Sequence, residues 1–370
     1  MKIVADVHIP FVKEFFGQNN EVVLLPGRAM TAADIRDAEM LLVRSITPVN
    51  AALLGGSQVK FVGSVTAGDD HVDKAWLEEN GIRWCAATGF NAPPVADYVV
   101  SVMAAMQRRQ CLSQYQCKVA VIGVGHVGRR VVDHLRTLGC QVVLCDPFRA
   151  EHEPDFEHTP LEAIADVDLI CLHVPLTKEG KFPTWHFIDE AFLKRQMPGC
   201  VILNASRGAV VDSSLILADA HFRWCLDVWE HEPHIDKKVL QRAEISTPHI
   251  AGYSVQSKKR GIEMIYRVAC GEKIIPAAAN IDIDLPTQVL RFAGKQHHWQ
   301  DIVMGIFNPL TMTALMKTQL FASEETGFAF DQLRNQFNYR HEFAYTRIES
   351  EDLLPHDKKI LGGLGIISIN

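Results

Sequence analysis

The sequence predicts an α/β protein built on parallel sheets, and three observations carry that prediction. Short β-branched runs alternate with polar, helix-prone stretches through residues 1–90. The same rhythm returns, with stronger apolar runs, through residues 117–250. A glycine-rich loop lies between a strand and a helix in the second of these regions. Strands alternating with helices produce a parallel sheet covered by helices on its faces. The chain has 370 residues, room for two or three domains of roughly 100–200 residues each.

Composition narrows the class. Hydrophobic residues make up 48% of the chain, which is ordinary for a globular protein with sizeable cores. No apolar run approaches the roughly 18 residues that span a bilayer. The opening "MKIVADVHIP" reads as a strand and not as a signal peptide, because its apolar run is short and no small-residue cleavage site follows. A formal charge of −7 argues against nucleic acid as a partner. The nine cysteines are scattered, and none forms C-x-x-C. Most lie in apolar runs, as Cys140, Cys145, Cys171 and Cys225 do. That usage predicts buried free thiols in a cytoplasmic protein, with no disulfides and no metal site.

The elements follow in order. "KIVADV", "EVVLL", "EMLLVRS" and "VKFVGSVTAG" are predicted strands, and "TAADIRDA" a helix capped by Thr31. In "TGFNAPPVADYVVSVMAAMQRR" a Pro-Pro start leads into a long apolar helix, the crossover into a second domain. Six more strands are predicted in "CKVAVIGVG", "QVVLCD", "VDLICLHVP", "CVILNAS", "FRWCLDVW" and "EISTPH". "VQSKKRGIEMIYRVACGE" is a helix that returns to the first domain. After "IDIDLP" the composition changes: cysteine disappears and apolar residues fall at helical spacing in "NPLTMTALMKTQLF". "EFAYTRI" and "GIISIN" are candidate strands of a third, smaller α+β domain. The expected boundaries are 1–92 completed by 256–286, then 93–255, then 287–370.

The loop "GVGHVG" carries the first chemistry. Gly123 permits a tight turn, Gly125 lets a pyrophosphate approach the backbone, and Gly128 lets the helix pack against the sheet. His126 and Val127 offer backbone N–H groups at the helix N-terminus, where anions bind. Asp146 ends the next strand, 18 residues past Gly128. A carboxylate there accepts from ribose hydroxyls and repels a 2′-phosphate. This strand–turn–helix context predicts a Rossmann-type domain that binds NAD and not NADP. Arg149, three residues beyond Asp146 and past a proline, does not outweigh it.

Three further loops each follow a strand of that domain, so all fall at one carboxyl edge, where open α/β sheets bind ligands. They are "NASRGAVVD" with Arg207, "DVWEHEP" with Asp227 and Glu232, and "TPHIAGYS" with His249. Pro248 excludes helix and stiffens the loop bearing His249. Singly, each residue has an ordinary structural reading. Together they meet the needs of 2-hydroxy acid oxidation. Arginine forks a carboxylate, histidine takes a proton near neutrality, and a carboxylate behind it steadies the imidazolium.

With these motifs in this order, the chain resembles the D-isomer-specific 2-hydroxyacid dehydrogenase family. The resemblance implies Arg207 for the substrate carboxylate, Glu232 as partner of the histidine, and His249 as acid/base. It implies Asp227, Val174 and Gly252 as cofactor contacts. It also implies a flavodoxin-like substrate domain beside the Rossmann-type domain. "LLVRSITPVN", "VGSVTAGDDHVD", "CDPFRA" and the extension after "IDIDLP" resemble one branch, whose substrate is a four-carbon 2-hydroxy acid with a distal phosphate. That branch implies Ser45, Thr66 and Tyr253 as substrate contacts, with a homodimer formed through the C-terminal domain. Arg44 is a further phosphate candidate, because a phosphate calls for cationic donors. The alternatives are another dehydrogenase of the family, acting on 3-phosphoglycerate or on glyoxylate and hydroxypyruvate, or a non-catalytic NAD-sensing module.

Overall fold

The computed structural model describes residues 1–370 except 115, 278–280, 282, 295, 338 and 370. Asp282 of "IDIDLP" and Asn370 of "GIISIN" therefore lie outside the described residues. The chain forms two compact units: Met1–Asn91 with Val255–Leu285, and Ala92–Ser254 with Pro286–Asn370.

The first unit holds β1 (Lys2–Asp6), β2 (Glu21–Leu25), β3 (Met40–Val43), β4 (Phe61–Ser64) and β5 (Arg83–Ala86). All pairings are parallel, in the flavodoxin-like order β2-β1-β3-β4-β5. Every residue of β3 and β4 is buried. Burial on both faces explains why these strands are continuous apolar runs and do not alternate. Ile3, Ala5, Met40, Leu42 and Phe61 pack under Phe15, Phe16 and the helix Val255–Gly271, through Ile262, Ile265 and Tyr266. Val4, Leu41, Val43 and Val62 face the opposite core with Ile35, Leu53 and Leu77. Gly63 lets the returning helix come close: a Cβ there would lie 2.4 Å from Ile265 Cγ2. Thr31 caps its helix as its position predicts, in a reciprocal box with Asp34. The short helices Val12–Phe16, Ala51–Leu54 and Lys74–Glu79, and β5, are additions to the predicted set. Each spans too few residues for a period to declare itself.

In the second unit β6 (Lys118–Ile122), β7 (Gln141–Cys145), β8 (Leu169–Leu172), β9 (Val201–Asn204), β10 (Arg223–Leu226) and β11 (Ile245–Ser246) form one parallel sheet. Its order is β7-β6-β8-β9-β10-β11, so strand order reverses between β6 and β8. No further strand pairs beyond β7 among the described residues. A loop runs there instead, and the Thr159 N–H donates to the Leu144 carbonyl at 2.8 Å. The helix Ala92–Arg108 is buried almost all round. One face, with Val95, Tyr98, Val99 and Val102, joins the core of this sheet. The other, with Val100 and Ala104, joins a separate core with Trp299, Ile302, Phe343 and Ile348. That second covering explains a helix apolar on every side.

The C-terminal residues of this unit add β12 (Gln288–Phe292), β13 (Thr346–Ser350) and β14 (Ile367–Ser368), all parallel. They also add the helices Trp299–Ile306, Pro309–Ala322, Thr326–Gln336 and Pro355–Gly363. Asn308 caps the second helix, with Pro309 in its first turn. Thr313 on that helix accepts the Ser246 N–H at 2.9 Å, so it satisfies a backbone donor of the edge strand β11.

Candidate active site

The carboxyl ends of β6 to β11 gather the predicted loops, beginning with the glycines. Gly123 has φ +87, and a Cβ there would meet the His173 carbonyl at 2.5 Å. A Cβ on Gly128 would lie 2.0 Å from the Gly123 oxygen. At Gly125 it would meet nothing within 4 Å. So two of the glycines are demanded by the packing of the fold, and the middle one faces the open space a pyrophosphate needs. Gly125 precedes the helix His126–Thr137, whose first residues His126 and Val127 have backbone N–H groups beyond the reach of helical partners. Val174 lines the same turn, with Cγ1 within 2.9 Å of a Cβ built on Gly123.

Asp146 sits one residue past β7 and caps the helix Pro147–His152. Its oxygens accept from the Arg149 N–H at 3.1 Å and the Val124 N–H at 2.8 Å. The carboxylate thus ties the glycine turn to the end of β7. Arg149 is engaged by Glu153, its Nε donating at 2.9 Å, and its guanidinium lies 4.0 Å from the Phe156 ring centroid. A cation already paired with the residue that caps its helix is a poor receiver for a 2′-phosphate, in keeping with NAD.

The histidine and its partner are in contact. His249 Nδ1 lies 2.8 Å from Glu232 Oε2. The other Glu232 oxygen accepts the Trp229 N–H at 2.8 Å, which orients the carboxylate. Burial works against the Glu232 charge, but His249, Arg334 and the Trp229 N–H outweigh it and hold the carboxyl below its usual range. His249 itself has φ +56, a left-handed conformation that non-glycine residues seldom adopt.

Asp227 fixes this conformation. It is buried, and its Oδ1 accepts the Thr247 hydroxyl at 2.6 Å and the Ile250 N–H at 2.8 Å. Its Oδ2 accepts the Ala251 N–H at 3.0 Å, while its backbone oxygen accepts the His249 N–H at 2.7 Å. Burial pushes its carboxyl up, opposed by His249 and these donors. The side chain predicted as a cofactor contact is therefore also the anchor of the loop 247–251, which also carries Gly252 and Tyr253 onward.

Arg207 follows β9 on a turn held by Asn204, whose Nδ2 donates to the Arg207 carbonyl at 2.9 Å. The guanidinium Nη1 donates to the Ser206 carbonyl at 2.8 Å. Gly208 then passes so close to the next loop that a Cβ would lie 2.0 Å from the Trp229 carbonyl carbon. His186 reinforces the junction, its Nε2 lying 2.8 Å from Glu230, which also accepts the Ser213 N–H. Asn204 and Gly208 are site-forming residues that the sequence did not single out. The glycine after Arg207 was a visible signal, but its contact was not.

In the first unit, Arg44 is buried and its Nε donates to Asp6 at 2.8 Å, while Nη2 is enclosed without a hydrogen-bond partner. Ser45 is exposed. Thr66 donates its hydroxyl to the Gly68 carbonyl at 2.7 Å and lies 2.7 Å from the Ser64 hydroxyl. The sequence-predicted hydroxyl is thus already part of a local network.

Residues 96–251 match the family described as D-isomer specific 2-hydroxyacid dehydrogenase, NAD binding domain. A solved structure of 3-phosphoglycerate dehydrogenase from Entamoeba histolytica with bound NAD+ superposes with a TM-score of 0.63 at 21% identity. It covers 74% of this chain and 95% of that one, a likeness of fold. The chain belongs to the D-isomer-specific 2-hydroxyacid dehydrogenase family. Among its relatives, erythronate-4-phosphate dehydrogenase of Coxiella burnetii (strain RSA 331) is 42% identical over 346 residues, 93% of this chain and 94% of that protein. The protein of the same name from Pseudomonas syringae pv. syringae is 37% identical over 380 residues, with 100% of both chains covered. No helix among the described residues is long and apolar enough to cross a membrane.

Proposed function

We propose that the chain oxidises 4-phospho-D-erythronate to (R)-3-hydroxy-2-oxo-4-phosphooxybutanoate with NAD, a step of pyridoxal 5′-phosphate biosynthesis, in the cytoplasm. The observation that carries the chemistry is the 2.8 Å contact between His249 Nδ1 and Glu232. A carboxylate on Nδ1 keeps the proton there and leaves the Nε2 lone pair for substrate. His249 Nε2 takes the C2 hydroxyl proton, and Glu232 stabilises the imidazolium that results. The glycine turn of Gly123, Gly125 and Gly128 would hold NAD, which would supply the hydride acceptor for C2. Arg207 holds the substrate carboxylate as a planar fork. Asp227 keeps His249 in register by its hold on the following two N–H groups.

For the phosphate, the first unit offers Arg44, whose Nη2 has no hydrogen-bond partner. His8 is held below its usual range first by burial and then by the charges of Arg44 and Lys258, against the opposing pull of Asp6. Arg44 and Lys258 set against the single Asp6 carboxylate leave a surrounding that suits a phosphate better than a neutral group. Ser45, Thr66 and Tyr253 complete the proposed substrate contacts.

The C-terminal segment is proposed as the surface of a homodimer. Leu315, Phe321 and Phe328 are exposed on its helices, Phe328 to 68%, and Val289 and Ile367 on its sheet. Large apolar side chains left exposed in this segment suit association with a second copy.

The test is NADH absorbance on mixing the protein with NAD and 4-phospho-D-erythronate, D-erythronate or 3-phosphoglycerate. The phosphorylated four-carbon acid should give the highest kcat/KM. D-Erythronate should lose kcat as well as affinity, because remote binding energy positions the reacting carbon. A preference for 3-phosphoglycerate would overturn the substrate assignment.

A further inference from the structure

Three loops at the carboxyl edge of the second sheet meet at His186. This residue lies on the loop that follows β8, and its backbone N–H donates to the Ala209 carbonyl at 2.9 Å. Further along, Ile188 pairs with Val211 in a parallel bridge. Ala209 and Val211 belong to the turn after Arg207, and the Val210 N–H donates back to the Arg207 carbonyl at 3.3 Å. The backbone of the first loop is thus laid along the segment that carries Arg207. The His186 ring reaches the third loop. Its Nε2 lies 2.8 Å from Glu230 Oε1, just upstream of Glu232. The other Glu230 oxygen accepts the Ser213 N–H at 3.2 Å, at the start of the helix Ser213–Ala218. Nδ1 of the ring lies 3.9 Å from Asp212, which caps that helix. Trp185 stacks on the imidazole, with ring centroids 4.0 Å apart. Burial works against the Glu230 charge, but Ser213 and His186 outweigh it and hold the carboxyl below its usual range.

We propose that His186 is a positioning residue of the active site: through Glu230 it clamps the turn after Arg207 to the loop before Glu232, and so fixes where the Arg207 guanidinium stands. The inference rests on the reading of Arg207 as the holder of the substrate carboxylate. Asn204 takes the Arg207 carbonyl, and Gly208 passes against Trp229. Glu230 adds a hold on Ser213, at the far end of the same turn. That hold depends on how the carboxylate is turned, and His186 sets this through the second oxygen. Without the ring, a largely enclosed acceptor loses its donor. An acceptor left unpaired there carries its full desolvation cost, and the carboxylate relieves it by turning away from Ser213. The turn after Arg207 is then loose at one end. A planar fork must meet both oxygens of its partner, so a displacement of about 1 Å is enough to cost roughly 100-fold in rate.

The experiment uses the full chain with NAD and 4-phospho-D-erythronate. Circular dichroism and NADH titration serve as controls. His186→Leu removes both nitrogens. It should lower kcat/KM for the acid by roughly ten-fold or more, chiefly through KM, with NADH affinity within about two-fold. His186→Gln, whose amide nitrogen can stand where Nε2 stands, should recover most of the loss. Both substitutions meet the same backbone demand at φ +50, so their difference reads the hydrogen bond. The decisive readout is His186→Leu combined with Arg207→Lys. An ammonium has no fork to aim, so the leucine should cost at most about two-fold in that background. A full penalty there would overturn the proposal, because general loosening acts whichever cation is present. Wild-type kcat/KM in His186→Leu, or a His186→Gln no better than His186→Leu, would overturn it as well. If His186→Leu does not fold, Glu230→Gln takes its place, since its amide keeps one acceptor oxygen and gives up the other. A Glu230→Gln penalty that adds in full to that of Arg207→Lys then overturns the proposal. Arg207→Lys by itself separates the two readings. Unchanged kcat/KM in it removes Arg207 as the holder of the carboxylate. An impaired Arg207→Lys to which His186→Leu adds in full removes only the role of His186.

Discussion

His173 closes the strand β8 beneath the glycine turn, and both of its ring nitrogens are enclosed without a hydrogen-bond partner. Burial alone lowers its pKa from 6.5 to about 3. In the unfolded chain the ring titrates normally and binds a proton that the folded ring refuses. The folded pKa is depressed, so the stability is fully present above the unfolded value, and it drains away as pH falls from about 6.5 toward 3. About 3.5 units at about 1.36 kcal/mol per unit sets a ceiling near ~5 kcal/mol. Between pH 8 and pH 5, the same linkage gives a loss of about 2 kcal/mol from this one residue. His173→Phe removes the titration while keeping a planar ring, and it leaves no buried nitrogen to satisfy. The assay is urea unfolding of both proteins at pH 8 and pH 5, followed through tryptophan fluorescence; Trp224 is fully buried in the same core. Wild type should lose about 2 kcal/mol more than the variant on acidification. Equal losses in the two proteins would refute the reasoning and mean that the folded ring takes up its proton at an ordinary pH.

Four other outcomes are expected. His249→Ala should bind NAD normally and turn over roughly 10²–10⁴ slower; steady-state rates and NADH titration check both. Arg207→Lys should lower kcat/KM more than NAD affinity, because an ammonium cannot make the bidentate contact; a loss confined to NAD binding would reassign the arginine to the cofactor. Asp146→Ala should weaken NAD and narrow its advantage over NADP. It should also cost roughly 0.5–2 kcal/mol of stability through the lost helix cap, read by cofactor titration and thermal melting. Deleting residues 287–370 uncovers Val100 and Ala104 and removes the Thr313 contact to β11. Aggregation or inactivity is expected by light scattering and NADH assay, and a soluble active monomer would contradict it.

The sequence alone determined what is local. The strands β6, β8 and β9 stood out because burial on both faces demands uninterrupted apolar runs. The glycine turn was legible because Gly123 and Gly128 answer to steric limits that no other residue meets. Arg207, Glu232 and His249 were legible because each follows a strand, and strand ends of one parallel sheet share an edge. The helix Ala92–Arg108 was visible as apolar, but not why. Its second covering comes from Trp299, Ile302, Phe343 and Ile348, remote in the chain. Only the tertiary structure decided that Asp227 locks the His249 loop and that Gly208 passes against Trp229. Those contacts join residues distant in sequence, and local pattern carries no record of such partners. Hydrophobic periodicity records which face of an element is covered, but the partner that covers it is chosen by packing of the whole chain.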